Sequence, residues 1–266
     1  MLDEAHHMPA ESFSEVMTQF PARYRYGTTA TPMREDRLHG LMFAVIGYKV
    51  AEITYKELYE GNWLEPAEVV PVPTDFDFLM TNRRQYNKML TALVQDEPRN
   101  SLIVRHLAKR KNNYNLVLSR RIEQLETVYN ELIESHPDIE DKAALLTGRM
   151  SRKDRDNVLW QMRNGNINYI FATQLADEGL DMPILDTLHL IFPGRAEGKI
   201  QQQIGRIQRK YPDKTDTPRV YDYVDVAQNT LRRQYNERVK VYEKTGCKVL
   251  RNKVKNTSIG VRRFAA

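Results

Sequence analysis

The sequence predicts an α/β protein built around a doubly wound parallel sheet. From about Asn115 onward, short runs of β-branched and aliphatic residues alternate with amphipathic stretches of helical length. This alternation is the pattern of a parallel sheet that is covered on both faces by helices. The 266 residues are 41% hydrophobic, and no apolar run approaches the roughly 18 residues that a membrane helix needs. We therefore expect a globular protein with one large domain or two ordinary ones.

Five short apolar segments are expected to be strands. After the first of them, Ile122, Leu125 and Val128 recur at helical spacing and indicate a helix. Ser151, with Asp154 three residues later, resembles a capping box and indicates a helix that runs to about residue 163. The expected strands are residues 115–119, 143–147, 168–173, 187–192 and 219–223.

The chain before these strands has a different pattern. Residues 83–107 are mostly helical, with a break before Pro98, which suits the first turn of a new helix. In the segment 69–73, two prolines at alternate positions favour an edge strand or a linker over a central strand. We therefore expect four parts, namely residues 1–60, a connector over 61–84, a domain over 85–230, and a basic helix and tail over 231–266.

Charge is concentrated at the two ends of the chain. The net charge of +5 divides into −4 for residues 1–22 and +9 for residues 231–266, with a balanced segment between them. A basic end favours a polyanionic partner, although a solvated helix and tail would have the same composition. The single cysteine, Cys247, excludes an internal disulfide and suits a reducing compartment, and we find no secretory leader at the acidic amino end.

Three segments carry residues suited to phosphate chemistry, and the first is Asp3-Glu4-Ala5-His6. Two adjacent carboxylates after a strand can divide labour in phosphoryl transfer. One holds Mg²⁺ through its water shell, and the other orients or deprotonates the attacking water. A chance acidic turn or an ordinary helix N-terminus would also fit these residues. The remaining histidines show no ligand spacing, which argues against a zinc site.

The second segment lies on the helix expected after the fourth strand. Arg206 and Arg209 are three residues apart, so both guanidinium groups project from one face. Such a pair can clamp the charge that spreads over phosphate oxygens in a transition state. Gly205 lets another surface approach the helix, and Gln202 lies one turn earlier. A solvated basic helix is the alternative interpretation.

The third segment begins at Thr173, at the end of the third expected strand, and continues through a loop with Gly179 and Asp181. This position is the ligand-binding edge of a parallel sheet. The threonine hydroxyl can contact a nucleic-acid phosphate, and an aspartate can accept a hydrogen bond from a ribose hydroxyl. An ordinary loop between a strand and a helix would have a similar composition.

In this order, the segments resemble the superfamily-two helicases and translocases, the DEAH- and DEAD-box-like group, and especially their XPB-like branch and its bacteriophage relatives. The resemblance covers about residues 1–230. It implies a complete second RecA-like lobe, preceded by the C-terminal remnant of a first RecA-like lobe that begins at motif II. The matched segments are residues 3–6 for motif II, 29–32 for motif III, 115–121 for motif IV, 173–181 for motif V and 202–209 for motif VI.

The resemblance also implies a catalytic role for five residues. Asp3 would bind Mg²⁺, and Glu4 would act as the base on the hydrolytic water. His6 would couple the nucleotide state to movement between the lobes. Arg206 and Arg209 would be arginine fingers that reach the γ-phosphate of ATP.

Supporting roles follow from the same resemblance. Thr29 and Thr31 would share the coupling role with His6. Residues near the nucleotide would be Gly179, Asp181, Gln202 and Gly205. Arg120 and Thr173 would lie on the nucleic-acid track.

The sequence contains no G-x-x-x-x-G-K-[ST] phosphate loop, which this chemistry requires. The segment from Gly194 to Lys199 has three residues rather than four between its glycines, and Ile200 replaces the hydroxyl that would contact Mg²⁺. We therefore expect the phosphate loop on a missing N-terminal lobe, joined in cis or in trans, and expect this chain alone to be inactive.

Three functional hypotheses remain open. The chain is the C-terminal part of an ATP-dependent DNA helicase or translocase, a stand-alone nucleic-acid-binding module without ATPase activity, or the arginine-finger subunit of a split motor or restriction-type translocase. ATP and Mg²⁺ are the expected cofactors, and DNA is the expected partner, with RNA as the alternative. The expected location is the cytoplasm of a bacterial or phage-infected cell, or its nucleoid.

Overall fold

The computed structural model describes residues 1–5, 15, 19, 21–30, 38–173, 182–194, 197–212, 214 and 216–250. The chain divides into two compact units, Met1–Leu58 and Tyr59–Ala266. Among the residues described, no helix is both long enough and apolar enough to cross a membrane.

The first unit contains a short parallel bridge between Leu2 and Gly27. Helix α1, His39–Ile46, contributes Met42 to a small apolar cluster with Ala5, and the two residues are 4% and 2% exposed. A Cβ at position 27 would lie 2.8 Å from the Cβ of Ala5, so the close approach of these backbones requires a glycine. The amino end of the chain is therefore packed beside the segment around residue 27.

The second unit is built on a seven-stranded, all-parallel sheet. Its strands are β1 Glu68–Thr74, β2 Asn115–Ser119, β3 Ala143–Leu146, β4 Tyr169–Thr173, β5 Thr187–Leu190, β6 Arg219–Asp225 and β7 Lys248–Val249. Their order across the sheet is β3-β4-β2-β5-β6-β1-β7. The fold class expected from the sequence, a parallel α/β sheet, is confirmed.

Helices connect these strands. Beyond α1 they are α2 Tyr55–Glu60, α3 Tyr86–Val94, α4 Glu97–Ala108, α5 Ile122–Ser135, α6 Arg152–Arg163, α7 Glu197–Gln208 and α8 Asn229–Lys244. Two 3₁₀ turns, Arg83–Gln85 and Pro137–Lys142, precede α3 and β3.

Alternate residues of the central strands face opposite sides of the sheet, and each side has its own core. On one side, Leu116 and Leu118 of β2 belong to a cluster with Ile204 of α7 and residues of α6 and α8. On the other side, Val117 packs with Phe171 and with residues of α4 and α5. All five named residues are at most 1% exposed. Burial on both faces explains why these strands are continuous apolar runs rather than alternating ones.

The expected elements lie close to their predicted positions. The expected strand at 115–119 is confirmed without change, and the other four differ by one or two residues at an end. Ser151 caps α6, because its Oγ accepts a hydrogen bond from the Asp154 amide at 3.2 Å. Asp96 caps α4 in the same way, accepting from the Arg99 amide at 2.9 Å.

The segment 61–84, which we expected to be a connector, contains a strand of the sheet. β1 pairs with β6 along all seven of its residues but with β7 only at Glu68 and Val69. The Val69 carbonyl accepts from Leu250 on the β7 side. Pro71 and Pro73 point to that same side, because alternate residues of a strand present their backbone groups in the same direction. Pro71 and Pro73 therefore lie beyond the residues of β1 that pair with β7, as prolines do on an edge strand. On its opposite side, β1 pairs with β6 along its whole length.

The basic end of the chain is folded further than expected. Leu231 and Tyr242 of α8 are buried at 2% and 0% exposure, which confirms the predicted helix with one packed face. After α8 the chain turns at Gly246 and enters β7. Gly246 has φ +70°, and a Cβ there would lie 2.5 Å from Cε2 of Tyr59, so this turn also requires a glycine.

Candidate functional site

An acidic candidate site lies in the first unit, directly after the Leu2 bridge. Asp3 is exposed, and its Oδ1 accepts hydrogen bonds from the Glu4 amide at 2.9 Å and from the Thr28 hydroxyl at 2.8 Å. These two bonds, first that from Thr28, lower the pKa of the Asp3 carboxyl. Asp3 is therefore held as a carboxylate, and its Oδ2 takes part in neither bond.

The Asp3 carboxylate fits Mg²⁺ bound in the usual protein manner. Mg²⁺ binds through one or two carboxylates and retains several waters, so it does not need a cage of protein ligands. No group of three or more His, Cys, Asp or Glu side chains that could hold a metal occurs within the described part of the chain. Glu4 is exposed and has φ 48°, a left-handed conformation that is uncommon outside glycine.

Several expected site residues cannot be placed. His6, Thr31, Gly179 and Asp181 lie outside the described residues. Thr29 is described and half-buried, and it directly follows Thr28, whose hydroxyl bonds Asp3.

A second candidate site, in the second unit, is the outer face of α7 together with Arg209. Ile200, Ile204 and Ile207 are 4%, 0% and 0% exposed and fix the inner face of this helix in the core. The outer residues follow the same helical spacing: they are Gln202, Gly205 and Arg206, all half-buried, and the exposed Arg209, which directly follows the helix. Among the described residues, no atom lies within 4 Å of a Cβ built at Gly205, so there this face is open to an approaching surface.

Two buried arginines hold the segment between β5 and α7. Arg99 pairs with Asp225 at 2.7 Å and donates to the Ile191 carbonyl at 2.8 Å. Arg238 makes two bonds to Asp222, at 2.8 and 2.7 Å, and donates to the Gly194 carbonyl at 3.0 Å.

Both aspartates of these pairs belong to β6. Thr74 of β1 also donates to Asp225, at 2.7 Å, and Tyr242 of α8 donates to Asp222, at 2.6 Å. Burial is the largest single influence on Arg238, and by itself it would lower the pKa of the side chain. The charge and hydrogen bonds of Asp222, with a smaller contribution from Tyr242, together outweigh burial, so the pKa of Arg238 is raised. The start of the arginine helix is therefore anchored to the centre of the sheet by fully desolvated ion pairs.

The end of α7 is also anchored. Gln208 is fully buried, and its Nε2 donates to the Tyr59 hydroxyl at 2.9 Å and to the Thr245 carbonyl at 3.3 Å. Its backbone carbonyl accepts from the Glu65 amide at 2.8 Å. Lys214 donates to the carbonyls of Ile207 and Arg209 at 2.9 and 2.7 Å. The orphan carbonyls at the helix end are therefore satisfied by side chains and by a neighbouring segment.

The expected nucleic-acid residues meet at the carboxyl edge of the sheet. Ser119 and Thr173 are register partners in β2 and β4, and Arg120 follows directly. Thr173 is 8% exposed, whereas Arg120 is exposed. A Cβ at Gly194 would lie 3.8 Å from the Arg120 guanidinium, so Arg120 lies beside the segment that leads into α7. The two residues expected on the nucleic-acid track thus lie at the carboxyl edge of the sheet in the second unit.

The residues that position the candidate site residues were not singled out from the sequence. Thr28 was not singled out, although its neighbour Thr29 was. Arg238 had a detectable signal, because it shares the inward stripe of α8 with Leu231 and Tyr242 and is a charged residue among apolar ones. Lys214 had no such signal, since a lysine in a polar loop is most often solvated.

Comparisons with known proteins agree with this architecture. Residues 98–211 match the family described as the helicase conserved C-terminal domain. The chain is 24% identical over 236 residues to the DNA 3'-5' helicase XPB of Mycobacterium tuberculosis, covering 88% of this chain and 41% of the relative. It is 24% identical over 249 residues to the DNA 3'-5' translocase XPB2 of Sulfurisphaera tokodaii, covering 79% of this chain and 55% of that one. The chain thus spans about half or less of the length of these relatives.

A solved structure supports the fold. The Saccharomyces cerevisiae protein Dbp5 bound to RNA and ADP BeF3 superposes with a TM-score of 0.62 at 12% identity, covering 94% of this chain and 58% of that one. At this identity the similarity supports the RecA-like α/β fold and nothing finer. The family match and the XPB relatives together support similarity to the C-terminal portion of superfamily-two helicases of the XPB-like type.

Proposed function

We propose that the chain is the arginine-finger portion of an ATP-dependent DNA helicase or translocase, which hydrolyses ATP only together with a segment that carries a phosphate loop, in cis or in trans. The observation that carries this proposal is the outer face of α7, where Gln202, Gly205 and Arg206 lie, with Arg209 directly after the helix end that Gln208 anchors. Rigid placement matters, because preorganised charges stabilise a transition state without reorganisation at the moment of reaction.

Each of the two candidate sites has its own task in this proposal. Bound Mg²⁺ would neutralise charge on the β- and γ-phosphates of ATP. Asp3 would hold that ion, since its carboxyl is kept ionised by Thr28. Glu4 would orient the attacking water, and Arg206 and Arg209 would stabilise the negative charge on the transferred phosphoryl group.

Nucleic acid would follow the carboxyl edge of the second unit. Arg120 would contact a phosphate, with Thr173 behind it. DNA is the proposed substrate, because the two XPB relatives are named as a DNA helicase and a DNA translocase. The positive end of the chain would strengthen binding, and the affinity would fall steeply as salt rises.

The test is a pair of ATPase assays with single-stranded DNA as the stimulant. We expect the purified chain alone to bind DNA but to show no DNA-stimulated turnover. Adding the phosphate-loop lobe, fused or as a separate protein, should restore turnover. Robust hydrolysis by the chain alone would contradict the proposal.

The other outcomes of this test separate the alternatives. Recovery with a separate protein, but not with a fused lobe, would favour the subunit of a split motor. DNA binding without turnover in any combination would identify a binding module without ATPase activity.

A further inference from the structure

The end of the arginine helix carries an unusual cap. Helix C-termini expose carbonyl groups and partial negative charge, which a cation can neutralise. Here the cation is Lys214, six residues beyond the last residue of α7. Its Nζ donates to the Arg209 carbonyl at 2.7 Å and to the Ile207 carbonyl at 2.9 Å. The ammonium therefore bridges the two carbonyls that flank Gln208.

This cap acts directly on the backbone of Arg209. Arg209 is the first residue after α7, so its φ and ψ are not fixed by a continuing helical ladder. Besides the two bonds from Lys214, backbone bonds hold this stretch: the Glu65 amide donates to the Gln208 carbonyl at 2.8 Å, the Arg209 amide to the Arg206 carbonyl at 3.4 Å, and the Lys210 amide to the Trp63 carbonyl at 3.4 Å. Arg209 also forms an antiparallel bridge with Leu64. The Lys214 bonds are the ones that come from an ionisable side chain.

Charged groups surround Lys214 from several elements. Asp186 precedes β5, Glu65 precedes β1, and Arg209 follows α7. Burial lowers the pKa of Lys214 to about 8. The attraction of Asp186 and Glu65 offsets only part of this lowering, and the positive charge of Arg209 lowers the pKa further. The charge of this cap therefore changes within the pH range in which enzymes are commonly assayed.

We propose that Lys214 is a positioning residue for Arg209. The Lys214 ammonium holds the backbone of Arg209, and from that backbone the Arg209 guanidinium reaches the γ-phosphate. The inference rests on the proposed function for what Arg209 does, but the contact itself does not depend on it. Activity should be supported while Lys214 is protonated and should be lost as the pH rises through about 8.

Two variants separate charge from packing. Lys214→Met keeps the length of the side chain and removes the donor, and it should lower kcat about tenfold at every pH, with little change in KM for ATP. Lys214→Arg keeps the charge at all accessible pH values, so it should retain activity and remove the loss above pH 8. Lys210→Met is the matched control, because Lys210 is exposed and bonds the side chain of Asn62.

A second measurement needs no ATPase activity. In the purified chain, amide hydrogen exchange over residues 205–210 should accelerate in Lys214→Met relative to Lys210→Met. At each pH, the exchange rate of the wild type is divided by that of Lys214→Arg. This ratio should be larger at pH 9 than at pH 7. Global stability should not fall over the same range, because a pKa below the ordinary 10.5 means that deprotonation favours the folded state.

The outcomes are distinct. A reconstituted enzyme without turnover would refute the proposed function, while the exchange measurement would still decide whether Lys214 holds this backbone. Unchanged exchange in Lys214→Met, or a Lys214→Arg enzyme with the same alkaline loss as the wild type, would overturn the positioning role.

Discussion

Replacing Arg238 by methionine tests whether a buried ion pair anchors the start of the arginine helix. Arg238 and Asp222 are 4% and 0% exposed and make two hydrogen bonds of 2.8 and 2.7 Å. Truncating the arginine would leave the Asp222 carboxylate in the core with the Tyr242 hydroxyl, and it would remove the bond to the Gly194 carbonyl.

The expected cost follows from this geometry. Removing one partner of a buried pair costs about 3–5 kcal/mol, because the other charge remains desolvated. For a domain of this size, such a loss lowers Tm by about 6–20 °C. The double variant Arg238→Met, Asp222→Leu leaves no buried charge, so its deficit should shrink to about 1–3 kcal/mol for the unpaired Tyr242 hydroxyl.

The assay is thermal and urea unfolding of the purified chain, followed by circular dichroism. Arg232→Met is the matched control, since Arg232 lies on the exposed side of the same helix and should change stability by about 0.5 kcal/mol or less. If Arg238→Met were as stable as Arg232→Met, or if the double variant were less stable than Arg238→Met, the ion pair would not be the anchor.

Three further predictions concern activity, pH and DNA binding. In the reconstituted enzyme, Arg209→Ala should reduce kcat by about 100-fold or more and leave ATP binding nearly intact, and equal losses in both would make Arg209 a structural residue. His189 is fully buried, and burial lowers its pKa well below 6.5, so the unfolded chain takes up the proton first. The free energy of unfolding should therefore fall below about pH 6.5, by at most about 1.4 kcal/mol per pH unit from this group, and His189→Phe should flatten that slope. Deleting residues 251–266, which carry five basic residues and no acidic ones, should reduce the salt dependence of DNA binding, and an unchanged slope would show that these residues do not contact DNA.

The deletion for the DNA-binding test begins at residue 251, although the positively charged end of the chain begins at about residue 231. Removing the chain from residue 246 would delete β7, whose Lys248 and Val249 pair with β1. It would also delete Cys247, which is 9% exposed and packs in the core. A loss of binding after that larger deletion would report unfolding as well as lost charge.

Much of the fold could be predicted because its signals are local. The apolar run at 115–119, the cap at Ser151 and Pro98 in the first turn of α4 depend on a few neighbouring residues. The helix that carries Gln202 and Arg206 was equally predictable, although it ends one residue before Arg209. The connector at 61–84 was harder, because a strand with two prolines can join a sheet when the prolines point away from the strand that pairs along its whole length.

The sequence by itself determined the parallel α/β class, the motif order and the residue types expected to face the nucleotide. Only the tertiary structure decided what holds those residues in place. Arg99 meets Asp225 across 126 residues, and Arg238 meets Gly194 across 44, so neither pairing follows from local spacing. Whether an arginine or a lysine is a solvated surface charge or a buried anchor depends on its burial and on its partner. Both are set by the path of the whole chain, which brings Arg238 to Asp222 and Lys214 to the end of α7.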